Sequence, residues 1–90
     1  MSDDTIRLND KEYRIKYYLT VKEVRELIKK EQYAKAEAAK GNFDPIFELW
    51  SYVLNRCLGL TLEDLENMHY KDAELLYLKV LEMNRSIPLQ

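Results

Sequence analysis

The apolar pattern of this chain changes its period once, at Thr20, and that change limits what it can fold into. Before it, in IRLNDKEYRIKYYL, apolar and charged residues alternate. Ile6 and Leu8 share one face of a first strand; Tyr13, Ile15 and Tyr17 share one face of a second, with Glu12, Arg14 and Lys16 opposite. Between them lies Asn9-Asp10, two residue types that tolerate the positive φ of a tight hairpin turn. The pattern predicts a hairpin over 6–18 with one face to bury. A two-stranded ribbon is marginal by itself and leaves two open edges. It must therefore lie on the rest of the chain or pair an edge with another chain. The first is the expected main role, because Tyr13, Ile15 and Tyr17 need a helical surface beneath them.

From Thr20 the spacing is helical. TVKE reads as a capping box, with Thr20 accepting from a backbone N–H and Glu23 reaching back. Val21, Val24, Leu27 and Ile28 form an apolar stripe that fades beyond Ile28, where Glu31 and Lys35 fall on it. The second half of this helix is expected to be solvated, with Gly41 closing it. FDPIFELWSYVLNRCLG is the clearest helix, with Asp44 as the expected cap, Pro45 at its first position and Gly59 at its end. Ile46, Leu49, Trp50, Val53, Leu54 and Cys57 gather on one side, Phe47 and Leu58 lie at the margin, and Glu48, Ser51, Asn55 and Arg56 face away. LTLEDLENM repeats the capping logic at Thr61 and Asp64 and offers Leu62, Leu65 and Met68 over about two turns. Asp72 is the expected cap of a last helix running to about Asn84, with Ala73, Leu76, Tyr77, Val80, Leu81 and Met83 inward. The whole is a single domain over 1–90: hairpin 6–18, helical body 20–84 and a tail, 85–90. Its fold class is α+β, mainly α, an N-terminal β-hairpin followed by a bundle of about four helices.

Ninety residues leave no room for a second core, and a chain this size buries only roughly 60–65% of its unfolded surface, so association would help it. The 14 basic and 16 acidic residues are interspersed, which disfavours nucleic acid as a partner. The acidic MSDDTIRLND is not a secretion signal, and no apolar run is long enough to span a bilayer. A cytoplasmic protein is expected. The single Cys57 sits in an apolar run and reads as a buried, inert thiol. His69 reads as a boundary residue making one hydrogen bond. Glu63, Asp64 and Glu66 lack the alternating ligands and central Gly of a calcium loop. With no phosphate loop and no zinc spacing, an enzyme, a metal, a cofactor and a small-molecule substrate are all unexpected.

What remains is surplus apolar surface. Leu75 and Leu78 miss the inner face of the last helix and sit among Glu74, Lys79 and Glu82. Tyr18, Tyr33 and Tyr52 are further exposed candidates. Together they point to an interaction surface, with Tyr33, Trp50, Leu75 and Leu78 as the candidate partner-binding residues.

The order of parts, LNDKEYRI, then LTVKEVREL, an aromatic-rich central helix, LTLEDLENM and a last helix ending LEMN, resembles the small tail assembly chaperones of long-tailed bacteriophages and prophages. The resemblance covers roughly 6–84; the Asn-Asp turn departs from the more typical Asn-Gly. It implies a non-catalytic factor that holds the long, helical tape measure protein soluble in the bacterial host until tail tube subunits polymerise around it. Self-association along such a client would use the hairpin edge. The rival readings are a structural virion or connector protein and a small DNA-binding regulator of the helix-turn-helix kind. The last fits badly, since its second helix would offer Glu74, Leu75, Leu78 and Glu82 to a groove.

Overall fold

The computed structural model describes residues 4–85; the opening residues and most of the tail at 85–90 lie outside them. Strands β1 (Thr5–Leu8) and β2 (Lys11–Arg14) form an antiparallel hairpin, followed by helices α1 (Val21–Ala39), α2 (Asp44–Leu58), α3 (Leu62–Glu66) and α4 (Tyr70–Arg85). The fold is α+β, mainly α. Asn9 and Asp10 both take positive φ, 51° and 66°, as a two-residue hairpin turn requires. Register pairs Ile6 with Tyr13, so one face collects Ile6, Leu8, Tyr13 and Ile15 against the helices. The ladder is shorter than 6–18. Past Arg14 the backbone leaves its partner strand: Ile15 N–H still donates to Asp4, at 2.8 Å, but Lys16 N–H donates to the Cys57 carbonyl at the end of α2, also at 2.8 Å.

The capping box of α1 forms as expected, with Glu23 N–H donating to Thr20 Oγ1 at 3.2 Å and Thr20 N–H to the Glu23 carboxylate at 2.9 Å. That of α3 forms likewise between Thr61 and Asp64, at 3.0 and 2.9 Å. Two expected caps are displaced inward. Asp44 is the first residue of α2, whose N-cap is Phe43, and the Asp44 N–H is met by the Asn42 side chain, at 3.3 Å. Asp72 lies within the first turn of α4 and accepts from Asn9 at the hairpin tip, at 2.7 Å. α3 is a single short turn of helix, and a turn at 67–69 leads into α4.

α1 and α2 run antiparallel, with Glu23 at one end gripping Arg56. The expected stripe on α1 holds at Val24 and Leu27 and fails at Val21 and Ile28. Val21 and Ile28 are exposed and, besides the half-buried Glu23 and Glu37, the covered residues are Val24, Leu27, Glu31, Ala34 and Ala38. Their spacing of three and four residues makes a narrow seam. The second half of α1 is not loosely solvated on that seam: Ala34, with no side chain beyond Cβ to hold the helices apart, is 1% exposed. α2 and α4 lie side by side in the same direction, Phe47 meeting Tyr70 at one end and Cys57 meeting Asn84 at the other. Val53, Leu54, Cys57, Leu76 and Val80 are the innermost side chains.

Candidate functional site

The two ends of α2 are finished differently. At its C-terminal end the segment after the hairpin crosses the bundle. Leu19 N–H donates to Asn84 Oδ1 at 2.8 Å, and Asn84 Nδ2 donates to the Val80 carbonyl at 2.9 Å. The Tyr17 hydroxyl donates to Glu23 at 2.7 Å, and Arg56 stacks 4.4 Å from the Tyr17 ring centre while its Nε donates to Glu23 at 2.7 Å. The Thr20 N–H, then the Tyr17 hydroxyl and Arg56, hold the Glu23 carboxyl at about 2, well below the carboxylate range. A hydrogen bond to Asp4, followed by burial, pushes Tyr18 up to about 12. Cys57 is wholly buried, and burial pushes its thiol up, as an inert core cysteine should be.

At the N-terminal end α1 covers the Leu49 side of the helix and the Phe47 side stays open. Phe47 remains 41% exposed, with its ring edge-on to Trp50 at 5.4 Å. Tyr70, at the start of α4, is 57% exposed and stands 6.3 Å from Phe47 and 5.7 Å from Trp50. These rings separate two openings. The larger, about 720 Å³, lies between α2, α3 and α4, with Trp50, Leu65 and Ala73 as its floor, Phe47, Leu62, Met68 and Tyr70 as its walls, and Asp44, Glu48 and Glu66 at its rim. The smaller, about 200 Å³, is bounded by Phe43, Ile46 and Leu78, with Glu31 and Lys35 reaching in from α1. A third cleft, about 360 Å³, runs between α1 and α2 past Lys29, Lys30 and Tyr33; Lys30 Nζ lies 5.6 Å from the Tyr52 ring centre.

Of the four candidates, Trp50 and Leu78 come together at the smaller opening, Tyr33 lines the cleft beyond α2, and Leu75 stands apart on the outward side of α4. Trp50 is itself buried, 5% exposed, and reaches the openings only as their floor. Tyr18 and Tyr52 are half-buried rather than exposed. Sequence reasoning missed Phe43, Leu62 and Tyr70. Phe47, at the margin of the apolar arc of α2, was the available signal; Tyr70 begins α4, two residues before the expected cap Asp72.

The Tyr77 hydroxyl, behind Trp50, is buried without a hydrogen-bond partner among the described residues. Burial, then the nearby Glu31 charge, pushes its pKa up. Among the described residues no cluster of His, Cys, Asp and Glu could hold a metal ion, and no helix is long and apolar enough to cross a membrane. His69 is exposed at the α3–α4 turn. No protein-family model, curated protein or solved structure matches this chain.

Proposed function

We propose that the protein is a non-catalytic tail assembly chaperone, which binds the long helical tape measure protein in the cytoplasm of a bacterial host and keeps it soluble until tail tube subunits assemble around it. The observation that carries the reading is the uncovered aromatic end of α2, where Phe43, Phe47, Leu62, Tyr70 and Leu78 are each more than two-fifths exposed within one small chain. Apolar surface of that kind marks an interaction site, and grooves between helices take the apolar face of another helix. The order of hairpin, capped helix, aromatic central helix and capped short helix supports the same reading. A connector role would use the same surface but would leave the protein in the finished particle. The exposed residues of α4 include Glu74, Leu75, Leu78 and Glu82, poor equipment for a DNA groove.

The test is co-expression with the largest helical protein encoded just downstream, followed by size exclusion of the soluble fraction. The chaperone reading expects that protein to be soluble only with this chain present and to co-elute with it. Unchanged solubility, with this chain running alone, would overturn it, and presence in purified particles would favour the connector.

A further inference from the structure

We infer that the larger opening, between α2, α3 and α4, is built for an amphipathic helix whose apolar stripe is flanked by Lys or Arg. This deepens the chaperone reading and rests on it for the kind of partner; the chemistry of the groove supplies the rest.

Every charged side chain lining this opening is an acid: Asp44, Glu48 and Glu66. That is a local property, because the chain as a whole carries 14 basic against 16 acidic residues. The cleft on the far side of Glu48 carries Lys29 and Lys30. α2 and α4 both begin beside the groove, but Asp44 and Asp72 already sit in their first turns to meet the helix dipoles. A partner with acids beside its apolar stripe would set like charges against this rim at a few ångströms, well inside the ~10 Å over which 0.1 M salt leaves charges coupled. Lys and Arg have the opposite effect, and their long stems cover apolar walls while the charged heads reach the rim. The exposed rings of Phe47 and Tyr70 add faces on which a cation can rest.

The shape argues for a helix. Helices and the turn at Met68 line the groove, so no strand edge is there for an extended peptide to pair with. The openings on either side of the Phe47–Tyr70 ring pair, which is 6.3 Å between centres, provide two adjacent sockets. A helix fills such sockets with anchors one or two turns apart.

Trp50 is the chain's single tryptophan and floors the groove, so its emission reports occupancy. The full chain would be titrated with two synthetic helical peptides of about 20 residues. They would share one Leu/Phe stripe, flanked by Lys in one and Glu in the other. The Lys-flanked peptide should bind on the order of tenfold more tightly at low salt, and the difference should collapse in about 1 M salt, where the screening length is ~3 Å. E48K/E66K should reverse the preference, while E12K/E82K, which changes net charge equally at a distance, should keep it. If E48K/E66K fails to fold by circular dichroism, E48Q/E66Q takes its place and should narrow the preference. Equal binding of the two peptides, no change in Trp50 emission with either, or an equal effect of the remote pair would overturn the inference. The co-expressed client separates this failure from that of the chaperone reading. Wild type and E48K/E66K solubilising it equally would sink the groove and leave the chaperone. A client insoluble with wild type would sink the chaperone, leaving the peptide titration to decide the groove alone.

Discussion

The hairpin-covered end of α2 and its bare end are built from the same kinds of residue and meet opposite fates. At the C-terminal end Ile6, Ile15, Leu54 and Cys57 are buried, and the crossing segment satisfies its backbone on Cys57 and Asn84. At the N-terminal end Phe47 and Tyr70 pack against Trp50 and remain open to solvent. The difference explains why a helical chain begins with a lone hairpin. The ribbon is a cover that closes one end of the bundle and leaves the aromatic end of α2 open.

If that contrast is real, substitutions at the two ends should separate cleanly. The largest effect is expected for Leu54→Ala, at a side chain 1% exposed, which should cost about 2–5 kcal/mol in chemical denaturation. Asn84→Ala removes the acceptor for Leu19 N–H and a donor to Val80. It should cost about 1–3 kcal/mol, because a half-buried N–H loses its partner. Glu23 gives the covered end a pH signature. Its folded pKa of about 2 lies below the ordinary carboxylate value, so its contribution is present above about pH 4.5 and is lost as pH falls through about 2. Glu23→Gln should flatten that acid limb in a series of thermal melts from neutral pH downward. At the open side, Leu75→Lys with Leu78→Lys should shift stability by no more than about 0.5 kcal/mol. A collapse of the melting temperature there would mean that both belong to the core. Opposite in sign to the core losses, Tyr77→Phe removes a buried hydroxyl without a partner among the described residues, and should leave stability unchanged or raise it by up to about 1 kcal/mol.

The local devices were legible in the sequence because each is written within a few residues: the Asn9-Asp10 turn, both capping boxes, the positive-φ glycines at 41 and 59, the inner face of α4. What was not legible depends on residues far apart. Asp72 has the composition of a cap, but its position is set by Asn9 on the hairpin, 63 residues away. Val21 and Ile28 look like core, and Ala34 like surface. Which seam of α1 is buried depends on the helices packed against it, and small Ala34 is enclosed there. Glu23 announces a capping box, but nothing nearby says that it also holds Arg56 from across the bundle. At the candidate site Trp50 is buried and Tyr70 exposed where α2, α3 and α4 meet, an arrangement no local motif encodes.

The most direct test of the account is amide hydrogen exchange of this protein, free and bound to its co-expressed long helical partner. The account predicts new protection over 43–50 and 62–70, with the hairpin at 5–15 unchanged because it is already committed to its own helices. Protection gained at the hairpin edge, with the aromatic end of α2 still exchanging as in the free protein, would contradict it.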